Sequence, residues 1–158
     1  MIVFQYLEVN MKSLITYLVE DNATILDNLI PTLREIADVE VTAHAATQAE
    51  ASRWLELHDG KWHLAIVDLF LEQGSGLGLL AECRNRESYQ KIVVLTNYAT
   101  QEIRLGAAQL GADTVFDKST ELDDLFAYCA RQAAKLQEEP AQQAQSEATE
   151  RSRIVAPK

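Results

Sequence analysis

The sequence predicts an α/β fold in which one parallel sheet of five strands is covered by helices on both faces. From residue 12 onward, five short apolar runs rich in β-branched residues alternate with stretches of helical period. The runs "HLAIV" and "KIVVL" are almost wholly apolar, as expected of central strands that helices cover on both sides. Because crossovers between parallel strands are right-handed, this alternation gives a doubly wound sheet.

Each element follows from its own pattern. Strands are predicted near residues 13–19, 39–43, 63–68, 91–96 and 113–117. Helices are predicted near 22–37, 47–57, from Gly76 onward, near 99–111 and near 121–136. Pro31 falls inside the first helix and is expected to kink or split it. Gly111 is expected to end the fourth helix, because glycine readily adopts the left-handed conformation of a helix stop.

Composition indicates one domain with extra chain at both ends. The 158 residues are 47% hydrophobic, which suits a single domain of about 12–136 with a full core. The leader 1–11 has no decisive pattern and could be an edge strand, a dimer contact or an upstream start. Residues 137–158 are polar and lack aromatic side chains, so we expect a disordered tail with a frayed helical start.

Charge and cysteine usage narrow the partners and the compartment. The formal net charge is −10, so nucleic acid is not an expected direct partner, since its phosphates require a basic face. No apolar run approaches the roughly 18–20 residues of a membrane span, and no membrane association is expected. Cys83 and Cys129 have no metal-ligand spacing, which favours reduced thiols and a cytoplasmic location.

Polar side chains recur where the predicted strands end. Glu20 and Asp21 follow the first strand, Asp68 closes the third, Thr96 closes the fourth and Lys118 follows the fifth. Singly, each has an ordinary interpretation as a loop starter, a helix cap, a strand residue or a solvated charge. In the flavodoxin-like strand order 2-1-3-4-5, however, the first and third strands are neighbours, so these groups converge at the edge where such sheets bind ligands.

The residue types at this edge suit phosphoryl transfer. Three carboxylates in one cleft repel one another and call for a hard cation, Mg²⁺ or Mn²⁺, that prefers oxygen ligands. A carboxylate beside such a cation and a lysine can attack phosphorus and form an acyl phosphate. The ammonium and a threonine hydroxyl can then stabilise the oxygens of the phosphoryl group.

Four segments in this order resemble a known family. "VEDN", "IVDLFL", "VVLTN" and "GADTVFDKS" are similar to the motifs of the CheY-like receiver domains of bacterial two-component response regulators, over residues 12 to about 135. The resemblance implies that Asp68 is the phosphoacceptor and that Asp21 and Asp68 bind Mg²⁺ directly. It also implies that Glu20 holds the ion through water and that the backbone carbonyl of Phe70 is a further ligand. Thr96 would hydrogen-bond the phosphoryl group and Lys118 would pair with it.

Several positions depart from the family pattern. The family usually has an aromatic switch residue three positions before the lysine, where this chain has Val115, with Phe116 beside it. Ser119 stands where the family usually has a proline with a cis bond, and the sequence leaves the isomer of this bond open. Asn97 replaces a small residue and is expected to narrow access to the aspartate.

Two aromatic residues stand where the family tunes the loss of phosphate. Phe70 lies two residues after Asp68, and Tyr98 lies two residues after Thr96. Because both side chains are large and apolar, we expect them to shield the phosphoryl group from water.

The resemblance implies a response regulator, and because the tail after residue 136 is short and polar, we expect a stand-alone, single-domain one. A sensor histidine kinase or phosphotransfer protein would phosphorylate it, and phosphorylation would change its contacts with a downstream protein that the sequence does not identify. The expected docking face is the fourth helix, fifth strand and fifth helix, which carry Ile103, Arg104, Ala107 and Phe126, and it could also form a homodimer.

Two other functions are weighed against this one. A phosphorylation-independent scaffold of receiver fold is favoured by the departures at Val115, Asn97 and Ser119. A true phosphohydrolase is disfavoured, because Phe70 occupies the place where a general acid would follow the nucleophile. The receiver is therefore expected to be a signalling phosphoacceptor rather than an enzyme with turnover.

Overall fold

A computed structural model describes residues 12–154, with side chains described through residue 138. Its sheet has the strands β1 (Leu14–Val19), β2 (Val39–Ala45), β3 (Leu64–Val67), β4 (Lys91–Thr96) and β5 (Thr114–Asp117). All pair in parallel, in the order β2-β1-β3-β4-β5. The predicted fold class and strand order are confirmed. The predicted leader, residues 1–11, lies outside the described residues.

Five helices connect or follow these strands: α1 (Ala23–Arg34), α2 (Gln48–Leu57), α3 (Gly76–Glu82), α4 (Gln101–Gln109) and α5 (Leu122–Ile154). The first four begin at a polar cap whose side-chain oxygen accepts a hydrogen bond from a backbone N–H of the first turn. The cap residues are Asn22, Thr47, Ser75 and Thr100. These caps fix the residue at which each of the four helices begins, and therefore where the loop that leads from the carboxyl end of the preceding strand must end.

The helices bury two apolar layers, one on each face of the sheet. Because successive strand residues point to opposite faces, Leu64 and Ile66 of β3 pack in one layer, and Ala65 and Val67 pack in the other. Helices α1 and α5 cover the first layer, and α2, α3 and α4 cover the second. Burial on both faces explains why β3 and β4 carry so few polar side chains.

The first helix is shorter than predicted, and Pro31 does not divide it. It continues through Pro31 to Arg34 as one helix, so the expected split is wrong, and a kink at Pro31 stays a prediction. The chain turns before β2 at Asp38, whose φ of 64° lies in the left-handed region. At the end of α4, Gly111 adopts a φ of 100°, and the predicted glycine stop is confirmed.

The last helix is longer than predicted. It runs to Ile154, beyond the predicted end near residue 136, and so covers residues 137–154 of the segment for which disorder was expected. The segment 137–154 has a single large aliphatic residue, Ile154, and no aromatic one, and this composition is the reason to expect disorder. It does not exclude helix, since alanine, glutamate and glutamine are good helix formers. Among the described residues, no helix combines the length and apolar character that a membrane span requires.

One residue expected on the docking face belongs to the core instead. Ala107 of α4 is fully buried among the residues that cover the second apolar layer, and Ile103 packs beside it. Leu105 points outward from the same helix and is 58% exposed. The correction follows from the orientation of α4, which turns Ala107 towards the sheet and Leu105 away from it.

The loop between β3 and α3 is held by close packing against α2. Gly74 has a φ of 86°, and the Gln48 side chain lies where a Cβ at Gly74 or Gly78 would stand. Gln48 accepts a hydrogen bond from the backbone N–H of Ser75 at 2.8 Å. A Cβ on Gly76 would lie 2.2 Å from the backbone oxygen of Asp68. The sequence "GSGLG" thus brings α3 directly against the residue that closes β3.

Replacing Gly76 with alanine is expected to displace Asp68 and to lower the free energy of unfolding by about 1–3 kcal/mol, because the clash is with backbone. The matched control is Gly106→Ala in α4, where a Cβ would meet nothing within 4 Å. This control should raise stability by roughly 0.5–1 kcal/mol. Urea denaturation measures both changes, and equal effects of the two substitutions would contradict the proposed clash.

Candidate functional site

The polar residues singled out in the sequence lie around one cavity at the carboxyl edge of the sheet. The cavity has a volume of about 200 Å³. Its walls are made by the ends of β1, β3, β4 and β5, which the strand order places side by side. The lining includes the residues Glu20, Asp21, Asp68, Phe70, Thr96 and Lys118. The sheet therefore brings together groups that are up to 98 residues apart in the chain.

The Lys118 ammonium bridges two of the three acids. Its Nζ donates to Glu20 Oε2 at 2.7 Å and to Asp68 Oδ2 at 2.9 Å, and all three side chains are buried. Burial alone would lower the pKa of Lys118, but the hydrogen bonds to Glu20 and Asp68 outweigh it and hold the pKa above its ordinary value. Lys118 is therefore a fixed positive charge facing Asp68.

The acids still exceed the available positive charge. Oxygens of Glu20, Asp21 and Asp68 all lie within 4.8 Å of one another. With one ammonium among three ionised carboxylates, the cluster has a formal charge of −2. Burial raises the pKa of Glu20 above its ordinary value, although Lys118 opposes the shift. An oxygen-rich cluster with this deficit suits a divalent cation such as Mg²⁺.

Backbone N–H groups orient each carboxylate. Asn22 donates to Glu20 Oε1 at 3.2 Å, Phe70 donates to Asp68 Oδ1 at 3.1 Å, and Glu72 donates to Asp21 Oδ2 at 2.6 Å. The contact from Glu72 joins the loop after β3 to the loop after β1. Because one oxygen of each acid is held in this way, the cluster keeps its shape despite the mutual repulsion.

The hydroxyl of Thr96 is close to the site and has an internal partner. Thr96 is fully buried at the end of β4, and its Oγ1 accepts a hydrogen bond from the backbone N–H of Tyr98 at 3.2 Å. The next strand is joined to it, since Lys118 N–H donates to the Thr96 carbonyl at 3.0 Å. Thr96 and Lys118 are therefore held in register by the β4–β5 pairing.

Two aromatic rings form the rim of the cavity. Phe70 and Tyr98 meet edge to face, with ring centroids 5.1 Å apart, and both line the cavity. Their side chains are 51% and 62% exposed. Asn97 also lines the cavity. The rings cover part of the opening and leave it accessible from outside.

The departures near β5 have clear structural outcomes. Val115 packs in the layer under α4, whereas Phe116 points to the opposite face and packs edge to face on Tyr128. Phe116 therefore does not occupy the place of an aromatic switch residue. No cis peptide bond occurs in the described part of the chain, so the Lys118–Ser119 bond is trans.

Some residues that shape the site carry no signal in the sequence. Gln48 supports the loop after β3, and Arg104 joins the Val115 carbonyl at 2.8 Å to the carboxylate of Glu121. The glycines at 74 and 78 indicate that another group packs closely against this loop, but the sequence does not show that this group is the Gln48 side chain. Arg104 has the ordinary spacing of a solvated helix residue, so only the fold reveals its contacts.

A comparison with protein families matches residues 16–130 to the response regulator receiver domain. The transcriptional regulatory protein YhcZ of Bacillus subtilis is 34% identical over 88 residues, which are 56% of this chain and 40% of that protein. The alginate biosynthesis transcriptional regulatory protein AlgB of Pseudomonas aeruginosa is 30% identical over 115 residues, 73% of this chain and 25% of that protein. This chain thus spans less than half the length of both curated relatives.

Solved structures give the same similarity. A response regulator of Burkholderia pseudomallei, with a phosphorylated aspartic acid, a calcium ion and citrate, has a TM-score of 0.64 and 26% identity over 82% of this chain and 74% of that one. The response regulator domain of Thermotoga maritima CheB has a TM-score of 0.65 at 16% identity, over 80% of this chain and 98% of that chain. At this low identity, the second likeness concerns the fold alone.

Removing the Lys118 ammonium should lower stability, because the clustered carboxylates then repel one another without a positive partner. In metal-free buffer, Lys118→Met is expected to lower the free energy of unfolding by about 2 kcal/mol, because two buried carboxylates lose their shared partner. The control Lys61→Met changes an exposed lysine and should alter stability by less than about 0.5 kcal/mol. Similar losses in the two variants, measured by urea denaturation, would disprove this role of Lys118.

Proposed function

This chain belongs to the response regulator receiver family, and from that premise we propose that it accepts a phosphoryl group on Asp68 and signals through altered protein contacts. One observation carries the assignment. Asp68 belongs to the three-carboxylate cluster and contacts Lys118, as Glu20 does, but Asp68 alone of the three acids follows the central strand β3, between the acids after β1 and Thr96 of β4, in a cavity that opens to the outside. The Burkholderia pseudomallei relative, with its phosphorylated aspartic acid, supports the assignment.

In the proposed reaction, one oxygen of Asp68 attacks the phosphorus of a phosphohistidine or a small phosphodonor. The new bond joins that oxygen to phosphorus, and the bond between phosphorus and the donor breaks, with its electron pair leaving on the donor. Lys118, already 2.9 Å from Asp68 Oδ2, stays paired with the charge on the phosphorylated side chain. The Thr96 hydroxyl can donate to a phosphoryl oxygen once it turns towards the cavity.

The cluster fits Mg²⁺ or Mn²⁺. Glu20, Asp21 and Asp68 would hold the ion, together with the backbone carbonyl of Phe70, and the formal charge of −2 is the one that a divalent cation neutralises. When bound, the ion would offset negative charge on the phosphoryl oxygens. The backbone donors to Glu20, Asp21 and Asp68 keep the carboxylates in place for it.

The proposed partners are a sensor histidine kinase or phosphotransfer protein and a downstream protein. The named relatives regulate transcription, but the chain matches only part of their length. With a net charge of −10, this segment is proposed to act through protein contacts and not through direct contact with nucleic acid. Single-domain action, homodimerisation and a cytoplasmic location remain predictions.

A scaffold that works without phosphorylation is the second candidate. The observation that favours it is at β5, where Val115 is small and Phe116 faces the other side of the sheet. A switch based on a rotating ring is therefore not available at this place. The scaffold and the phosphoacceptor differ in whether Asp68 reacts.

Incubation with Mg²⁺ and acetyl phosphate is expected to add one phosphoryl group, measured as a mass gain by intact-protein mass spectrometry. Asp68→Asn should show no gain, because an amide is not a comparable nucleophile. Asp59→Asn, which changes an exposed residue after α2, should be labelled like the wild type. An unlabelled wild type would favour the scaffold, and continuous release of phosphate without a stable adduct would favour the phosphohydrolase.

Mg²⁺ should raise the midpoint of thermal unfolding, because an ion that binds only the folded state stabilises it. At 100 times the dissociation constant the gain is about 2.7 kcal/mol. Asp21→Asn removes one member of the cluster and is expected to abolish most of the Mg²⁺-dependent gain. Asp27→Asn, on the exposed face of α1, should retain it. A full gain in Asp21→Asn would exclude Asp21 as a ligand.

The aromatic rim should slow the loss of phosphate. The double variant Phe70→Ala, Tyr98→Ala is expected to lose its phosphoryl group several-fold faster, because both rings cover the opening of the cavity. The rate can be followed by intact mass after the phosphodonor is removed. Leu105→Ala, which removes an exposed side chain from α4, serves as the control. Unchanged lifetimes in the double variant would rule out shielding by the rings.

A further inference from the structure

Arg104 joins three segments that surround the phosphorylation site. Its Nε donates to the carbonyl of Ala99 at 3.1 Å, and its Nη1 donates to the carbonyl of Val115 at 2.8 Å. Its Nη2 donates to the carboxylate of Glu121, directly before α5. One guanidinium thus contacts the loop after β4, the strand β5 and the start of α5. Because the group is planar and rigid, a shift of one acceptor changes its fit to the others.

Both ends of this network are connected to the site. Ala99 directly follows Tyr98, whose backbone N–H donates a hydrogen bond to the hydroxyl oxygen of Thr96. At the other end, the same Glu121 oxygen that binds Arg104 also accepts a hydrogen bond from the backbone N–H of Asp117 at 3.0 Å. Asp117 pairs with Thr96 across β4 and β5. The hydrogen bond from Arg104 lowers the pKa of Glu121, so this carboxylate is ionised near neutral pH.

A phosphoryl group on Asp68 would disturb this arrangement. If the buried Thr96 side chain turns towards that group, its Oγ1 moves relative to the Tyr98 N–H that donates to it, and the segment 97–99 must shift to keep this hydrogen bond. The Ala99 carbonyl moves with that segment. Since Ala99 is bonded to Arg104, the shift reaches Glu121 through the guanidinium. This route does not need an aromatic side chain at position 115, where the chain has a valine.

We propose that Arg104 is the positioning residue that couples phosphorylation of Asp68 to the first turn of α5, through Ala99 and Glu121. This coupling rests on the proposed function. Arg104 would then make the connection between the loop after β4 and α5 that the family usually makes with an aromatic residue at the position of Val115. The consequence is a signal at the start of α5, where Leu122 is 37% exposed and Phe126 lines the neighbouring cavity between α1 and α5.

The chain provides a matched control at the other edge of the sheet. Arg86 donates to the carbonyls of Gln90, Cys83 and Gly111 and pairs with Asp113 at 2.8 Å. Its bonding resembles that of Arg104, but its acceptors lie at the amino-terminal edge, away from the cavity. A merely structural role would make the two arginines equivalent in any assay of signalling.

The test uses the full ¹⁵N-labelled chain with Mg²⁺ and beryllofluoride, a non-covalent mimic of the phosphoryl group. In the wild type, amide signals of Tyr98 and Ala99 and those of Leu122 and Leu125 should all shift. In Arg104→Gln the first pair should still shift, and the second pair should shift at least four-fold less. Glu121→Ala should give the same loss, and the double variant no further loss, because both act in one chain of contacts. Arg86→Gln should behave like the wild type.

Each outcome decides between the two proposals. If Arg104→Gln and Glu121→Ala leave the shifts in α5 intact, the coupling is wrong although phosphorylation stands. The coupling is also overturned if Arg104→Gln abolishes the shifts at Tyr98 and Ala99, or if Arg86→Gln loses the α5 shifts as well. If the wild type shows no shift at either place, both the coupling and the proposed function fail. Glu121→Ala provides the decisive comparison if Arg104→Gln does not fold.

Discussion

The buried contact of Lys118 with Glu20 and Asp68 is the interaction on which the site depends. It joins the loops after three different strands, and it does so with one positive charge among three carboxylates. Burying this much negative charge is costly unless it is paired and hydrogen-bonded. One ammonium and three backbone N–H groups donate hydrogen bonds to the carboxylates. The formal charge of −2 that remains on the cluster favours the binding of a divalent cation. In the proposed reaction, a bound divalent cation would offset this charge and allow an anionic phosphoryl group to approach Asp68.

The rest of the fold serves to keep this edge in place. A parallel sheet puts all its carboxyl ends together, so the loops that follow must be held without further strand pairing. Here the loop after β3 is fixed from two sides, by Gln48 of α2 and by the contact of Glu72 with Asp21. Gly76 allows α3 to lie directly against the backbone of Asp68. The position of the central carboxylate is therefore set by packing far beyond its own strand.

The sequence predicts the sheet and the set of residues at its edge, because both follow from general patterns. Apolar runs with a helical period between them define the strands, and the rule for ligand sites in such sheets selects Glu20, Asp21, Asp68, Thr96 and Lys118. Contacts that depend on helix orientation are not predictable in this way. Ala107 reads as a surface residue and is buried, and Gln48 reads as an ordinary polar residue and supports the loop. The extension of α5 to Ile154 was missed because low apolar content indicates little packing but does not exclude helix.

The two arginine networks show how position gives the same chemistry different consequences. Arg86 and Arg104 each collect backbone carbonyls and one carboxylate, which is a common way to hold strand ends and loops together. Around Arg86 the acceptors lie at the amino-terminal edge of the sheet, away from the cavity. Around Arg104 they belong to the loop that carries Tyr98 and to the start of α5, and the loop must move if Thr96 turns towards a phosphoryl group. Because Arg104 is hydrogen-bonded to this loop, it would transmit a shift of the loop to the start of α5. The small side chain of Val115 cannot do so, and the guanidinium is the group that joins the two segments.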